Sequence, residues 1–298
     1  MRFVPNIASN VIADIQQSDQ SVQTALQQLS SGQRVSLPSD DPSASAALVQ
    51  LQAQSANIDQ YTTNADSAVS QAQSADSVVS SVVSLLNQAI TLGTEGANST
   101  TSATNRQAIA TQIQGLLANV VSLANTQYQG ISLFSGSVSG QPAFTADPTS
   151  PTGYTYNGNS AVNTVAVGDS LNVQVNIPGS TVFTNASGSA LGALSNLATA
   201  LTSGTSADIG TATAAVTTAL SVVSQQHVIY GNAINQFNAQ EAFLAQDKIT
   251  LTSRATSLVG IDPATAAENL SQAETNNSAV YAASAKVLQN NLLTYLDR

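Results

Sequence analysis

The sequence predicts a mainly α protein: an elongated helical rod of long, coiled-coil-like helices drawn from both chain ends, with one small inserted β domain. Three observations predict it. Val216, Val223, Tyr230, Phe237, Leu244, Leu251 and Leu258 fall seven residues apart without a miss, the spacing of a coiled-coil seam. Residues 30–42, SSGQRVSLPSDDP, form a shaped elbow between two helix-like segments. Between residues 135 and 189 the apolar period changes to two, the mark of strands.

The first helix spans about residues 7–29, with Val11, Ile15, Val22 and Leu29 on its apolar stripe. Gly32 stops it in a left-handed conformation that other residues resist. Pro38 forces Leu37 out of helical geometry. Asp41 then caps a second helix, and Pro42 takes its first position, where a missing N–H costs nothing. Asp40 and Asp41 also put negative charge at the positive end of that helix's dipole.

The second helix runs to about residue 92, with Ala65, Val69, Ala72, Ala75, Val79, Val82, Leu86 and Ala89 as its seam. Gly93 and Gly96 are expected to close it. A third helix presents Ile109, Ile113, Leu116, Val120, Leu123 and Tyr128 on one face and stops near Gly130. Tyr154-Thr155-Tyr156, residues 162–167 and residues 171–177 alternate as strands, with turns at Asn157-Gly158, Gly168-Asp169 and Pro178-Gly179. A short helix over about 190–201 leads to the long one, 208–258, which would measure roughly 75 Å at 1.5 Å per residue. Gly260 and Asp262-Pro263 mark a joint. The last helix runs to about residue 295 on a stripe of Leu270, Ala273, Val280, Val287 and Leu292, interrupted by Asn277 and Ser284. Near the chain end Leu288, Leu292, Leu293, Tyr295 and Leu296 form an apolar patch.

Composition narrows the function. Charged residues are 8% and aromatics 4%, with no Trp and no Cys, against roughly 25% charge in an average globular protein. Small side chains cannot build a thick core, but they let helices approach closely, and scarce charge suits a surface that meets other protein. Net charge is −10, and the 7 cations are scattered. Nucleic acid, which needs clustered cations, is not an expected partner. Without cysteine there is no disulfide, thiolate metal site or thiol catalysis. No stretch approaches eighteen consecutive apolar residues, so membrane insertion is not expected. A cleaved signal peptide is not expected either, since Arg2 precedes no apolar run.

The motifs, taken in order, resemble a known family. Met1-Arg2-Phe3, Ser31-Gly32-x-Arg34-Val35 and Pro38-Ser39-Asp40-Asp41-Pro42 resemble the N-terminal signature of the hook-associated protein 3 family, the hook–filament junction proteins of the flagellin superfamily. True flagellins share an SSG-x-R elbow but usually continue into an alanine-rich segment. Leu123-Ala124-Asn125-Thr126 with Gly130-x-x-Leu133-Phe134-Ser135-Gly136 resembles that family's entry into its outer domain, and Asn176-Ile177-Pro178-Gly179 with Phe183 its β domain. The resemblance makes Gly32, Arg34, Pro38, Asp40, Asp41 and Pro42 the family elbow. It implies an extracellular flagellar subunit, exported by the flagellar type III apparatus. The partners it implies are copies of itself, the first hook-associated protein, flagellin or the filament cap, and an export chaperone on the C-terminal helix. Flagellin itself is the alternative, and a secreted binding protein or adhesin a more distant one.

No catalytic constellation emerges. His227, the only histidine, has no nucleophile to serve and reads as a bundle-edge residue. The Asp40–Asp41 pair reads as capping rather than acid–base chemistry. The chain is therefore expected to be no enzyme and to need no cofactor or metal. Residues 1–41 and 261–298 are expected to form a terminal assembly domain, 42–134 and 190–260 a helical bundle, and 135–189 the β insert. The terminal helices, poor in large apolar residues, cannot offset about 1–2 kcal/mol of backbone entropy per residue alone and should gain order against copies of themselves.

Overall fold

The computed structural model describes residues 7–296, and for 7–8 and 288–296 the backbone alone; Met1, Arg2 and Phe3 lie outside the described residues. The protein is mainly α. In chain order come α1 (Ile7–Ser31), α2 (Pro42–Ala97), α3 (Ala103–Ala124), β1 (Gln127–Tyr128), β2 (Ile131–Ser132), β3 (Phe144–Ala146), β4 (Tyr154–Tyr156), β5 (Thr164–Ala166), β6 (Asn172–Gln174), α4 (Gly179–Val182), α5 (Ala190–Ser203), α6 (Ser206–Val259) and α7 (Pro263–Leu296). Each consecutive strand pair is its own antiparallel two-stranded sheet. The chain packs as two units. One holds the described residues up to Asn57 with those from Gln246 onward, the other Ile58–Ala245.

In the larger unit the predicted seams are the core. Ala65, Ala72, Ala75, Val79, Val82, Leu86 and Ala89 of α2 are buried, as are Val216, Val223, Tyr230, Phe237 and Leu244 of α6. Ile109, Ile113, Leu116 and Val120 of α3 join them, and Leu191, Leu194 and Leu197 of α5 complete the layer. Each buried leucine or valine contributes about 1.5–3 kcal/mol, so α5 and α3 supply what the alanine-rich α2 cannot. The helices are capped by side chains. Ser102 Oγ accepts from Asn105 N at 3.2 Å and Ser189 Oγ from Gly192 N at 3.0 Å. Thr205 and Asp208 bond reciprocally at the head of α6, Thr205 N to Asp208 Oδ2 at 2.8 Å and Asp208 N to Thr205 Oγ1 at 3.2 Å.

Two expectations about α2 and α3 are corrected. Gly93 and Gly96 do not end α2; they lie within it, where a Cβ at Gly93 would run into Thr213 and Leu197 and one at Gly96 into Leu201. They are glycine so that α5 and α6 can approach. Tyr128 does not continue α3, which ends at Ala124. It sits in a two-residue hairpin turned by Gln129 (φ 51°) and Gly130 (φ 80°), both in the left-handed region such a turn demands.

The segment 135–189 is the strand-containing region expected between the helices. Its strands are only three residues long; Phe144, Val182 and Phe183 turn inward, while Val162 and Leu171 stay exposed. Phe134, Phe144 and Phe183 are buried in the same core as α3, α5 and α6. Phe134 and Phe183 meet edge to face at 5.1 Å between ring centroids, and Phe144 and Phe183 at 5.7 Å. The two motifs singled out here close on each other: Gly179 N donates to Phe134 O at 2.7 Å, and the Asn176 amide to Gly136 O at 3.4 Å. Asn125 pins β3 from both sides, donating to Phe144 O and accepting from Phe144 N, each at 2.8 Å. The inserted segment shares a core with the helices through Phe144, Ile177, Val182 and Phe183.

By composition alone, α2 and α6 each contain an 18-residue window of mean hydropathy 1.2, apolar enough to cross a membrane. The absence of an unbroken apolar run did not anticipate this. About a third of each window is buried, through the seam residues already described.

Candidate assembly site: the elbow and the paired terminal helices

The elbow is a set of capping bonds made rigid by proline and glycine. Gly32 has φ 67° and donates its N–H back to Gln28 O at 2.9 Å, closing α1 in the left-handed conformation. Asp40 Oδ2 accepts from Leu37 N at 2.9 Å and Ser36 N at 3.1 Å, which folds the Pro38 turn. Asp41 Oδ1 accepts from Ala44 N at 3.0 Å and Ser43 Oγ at 2.8 Å, capping α2 at Pro42. These bonds favour the ionised carboxylates. Asp41 is held down to about 2, first by the Ala44 amide and then by Ser43, with Arg34 contributing less. Asp40 is lowered by the amides of Leu37 and Ser36.

The elbow is also bound to the far end of the chain. Arg34 N donates to Val259 O at 2.6 Å, Ile261 N to Gly32 O at 3.0 Å, and Gln33 bridges Gly260. The Arg34 side chain donates to Asp41 Oδ2 and to Leu258 O. Beneath these bonds Val35, Ala44 and Val259 form a small apolar cluster. In the heptad seam Leu251 is buried, but at the joint the buried residue is Val259 rather than Leu258, because the chain leaves α6 there to pair with the elbow. A cleft of about 390 Å³ opens beside it, walled by Leu48, Leu51, Leu251, Ala255 and Val259.

The terminal helices α1 and α7 pack on each other. The α1 stripe carries Val11, Ile15 and Val22 half-buried, with Ser18 and Ala25 buried between them. Leu29, expected on this stripe, is 38% exposed. Gln28 takes the inward place and its amide donates to Arg34 O at 3.1 Å, tying helix to elbow. On α7, Ala266 and Ser284 are buried, and Leu270, Ala273, Asn277 and Val280 half-buried. Asn277 and Ser284, which looked like interruptions, are seam residues. Asn277 Nδ2 donates to Asp19 Oδ1 at 3.0 Å, and the Tyr281 hydroxyl to the same carboxylate at 3.2 Å. The Asp19 charge, then burial, then that hydrogen bond raise the Tyr281 phenol above its ordinary value. An open groove of about 920 Å³ runs along the pair, lined chiefly by small and polar residues. Ile12 (56%) and Leu26 (50%) of α1, together with Leu29, are left exposed. The α7 backbone is helical to Leu296, but the side chains of Leu288, Leu292, Leu293, Tyr295 and Leu296 lie outside the described residues.

Asp19, Asn277 and Tyr281 were missed by sequence reasoning. Their signal was a polar residue recurring at a seam position, which an apolar-periodicity search discards. Elsewhere, His227 Nε2 stands 3.1 Å from Asp76 Oδ1, which pairs α6 with α2. Among the described residues, no group of three or more His, Cys, Asp or Glu is placed to hold a metal ion.

Residues 5–139 match the family model described as the bacterial flagellin N-terminal helical region, a stretch that carries α1, the elbow, α2 and α3. The fold is that of the flagellar hook-associated and junction proteins. The chain is similar to a solved structure of a putative flagellar hook-associated protein from Vibrio parahaemolyticus, with TM-score 0.67 and 20% identity over 74% of this chain and 100% of that one. It is similar to flagellar hook-associated protein 3 from Legionella pneumophila, with TM-score 0.64 and 16% identity over 70% and 98%. The Bacillus cereus protein FlgL gives TM-score 0.60 and 19% identity over 70% and 99%. No curated protein sequence matches the chain.

Proposed function

We propose that this protein is a structural subunit that joins the bacterial flagellar hook region to the flagellin filament, assembling through its terminal helices. The observation that carries this reading is the surface of the α1–α7 pair. Small residues bring the two helices together along an open groove, while Ile12, Leu26 and Leu29 of α1 stay exposed. An exposed apolar helix face of this kind is satisfied by further helices, and copies of the same pair supply them. Fold likeness to proteins described as hook-associated supports the position in the flagellum.

On this reading the partners are copies of the chain, the first hook-associated protein, and flagellin or the filament cap. An export chaperone holds the C-terminal helix before assembly. The site of action is extracellular, the chain does no catalysis, and it binds neither nucleic acid nor cofactor. Flagellin itself is the second reading, favoured by the family match of residues 5–139. The Pro38-Ser39-Asp40-Asp41-Pro42 elbow favours the junction protein.

The test is Leu292→Asp with Leu296→Asp. Each charge placed in a helical layer without a partner is costly. Cells carrying the double variant should build hooks, lack filaments and leak flagellin into the medium, while the purified monomer keeps its stability. Normal filaments on those cells would contradict the role given to the terminal helices.

A further inference from the structure

Within one packing unit, α1 runs into the elbow and α7 leaves beside it, so the two helices pack antiparallel. At the elbow end their register is held by backbone, through Ile261 N to Gly32 O and the Gln33–Gly260 bridge. Further out, among the described residues, no backbone bond joins them. The seam there is built for the most part from repeating or small side chains. Ile15 and Val22 on α1 are seven residues apart, as are Ala273 and Val280 on α7, and all four are half-buried. A slip of one heptad exchanges such residues for their equivalents, so apolar packing alone does not choose one register. Asp19 breaks the equivalence. About 20 Å from Gly32, at 1.5 Å per residue, its carboxylate accepts from Asn277 Nδ2 at 3.0 Å and from the Tyr281 hydroxyl at 3.2 Å. On the same stripe of α1, Ile12 lies seven residues before it and Leu26 seven after. A slip in either direction sets an apolar side chain opposite Asn277 and Tyr281. Seen from α7, it sets Asp19 against Leu270 and Glu274, or against the short Ser284.

We propose that Asp19 is a positioning residue that fixes the register of α1 on α7, through its bonds to Asn277 and Tyr281. The arrangement is not one that maximises stability: Asn277 Oδ1 is shut off from solvent without a partner, which costs free energy. A polar residue kept in a helix seam at such a cost is one way a sequence specifies register. The consequence for assembly rests on the role proposed above for the terminal helices. One register keeps the exposed Ile12 and Leu26 at fixed places relative to α7, so every copy presents the same surface to its neighbours.

The chain has no cysteine, so Gln16→Cys with Ser278→Cys, both at exposed positions, places one nitroxide label on each helix. Pulsed electron resonance on the purified full chain, diluted with unlabelled chain, then reads the distance between them. The parent chain should give one narrow distance. Asp19→Leu should keep its helicity, since an apolar residue suits a seam, but add a second population displaced along the axis by about 10 Å, one heptad. Asp19→Asn retains an acceptor and should keep the single distance. An unchanged single distance in Asp19→Leu, or several distances in the parent or in Asp19→Asn, would overturn the proposal. Loss of terminal helicity in both Asp19→Leu and Asn277→Leu would overturn it too, since the bond would then hold the pair together rather than choose its register. No flagellum enters this measurement, so its failure is distinct from failure of the junction reading.

Discussion

Arg34 donates from Nη2 to the carbonyl oxygen of Leu258 at 3.2 Å, across 224 positions of sequence. The same nitrogen reaches Asp41 Oδ2 at 3.3 Å. One guanidinium thus ties the cap of α2 to the last turn of α6, at the point where the chain turns into both terminal helices. The side chain is half exposed, so solvent screens the ion pair. Arg34→Ala should cost only about 1 kcal/mol in urea unfolding. It should also speed cleavage within residues 32–41 under limited proteolysis. Unchanged cleavage would show that the backbone bonds of Arg34, Val259, Gly32 and Ile261 hold the elbow without the side chain.

The elbow carboxylates set an acid limit. Asp41 lies at about 2 and Asp40 is lowered, against 3.8 for an ordinary aspartate. Carboxylates lowered by folding contribute stability above their unfolded value and lose it as pH falls through the folded one. Protection of the Ala44 and Leu37 amides should therefore hold at pH 5 and decline between about pH 4 and pH 2.

The glycines of the larger unit should differ in sign. Gly115 in α3 has open space where a Cβ would go, so Gly115→Ala should stabilise by up to about 1 kcal/mol through helix propensity. Gly93→Ala and Gly96→Ala place the same methyl against Thr213 and Leu201. Overpacking costs about 1–3 kcal/mol and should exceed the propensity gain. Thermal midpoints of the three variants give the comparison.

Tyr230 tests whether residues 135–189 belong to the core. It is 2% exposed, and its hydroxyl accepts the Ile177 N–H at 3.1 Å. Burial first, and the Asp76 charge besides, push its phenol well above the ordinary tyrosine value. Tyr230→Phe strands a buried N–H and should cost about 1–3 kcal/mol. Deleting residues 138–187 removes Phe144, Ile177, Val182 and Phe183 from the core and should abolish cooperative unfolding of the larger unit. A deletion variant with wild-type helicity and midpoint would show that the segment is detachable from the core.

Much of this was legible in the residues. The heptads from Val216 to Leu251 gave α6 its inward face, and Gly32, Pro38, Asp41 and Pro42 gave the elbow its bonds, because apolar period and capping are local signals. The interior use of Gly93 and Gly96 was not legible: a glycine that admits a neighbouring helix and one that ends its own look alike in sequence. Ser18, Asn277 and Ser284 were hidden for a related reason. Between thin helices a small polar residue packs as well as an alanine, and Asn277 finds its partner, Asp19, only once α1 and α7 meet. The core role of Phe134, Phe144 and Phe183 was missed because they lie at strand ends and in loops, where no period marks the inward face.

The central claim is position in the flagellum, and immunogold labelling of intact flagella with antibody to this chain measures it directly. A junction subunit predicts a narrow gold band where hook meets filament and a bare filament beyond. Label along the whole filament would identify a flagellin instead, and label absent from the flagellum would contradict the account altogether.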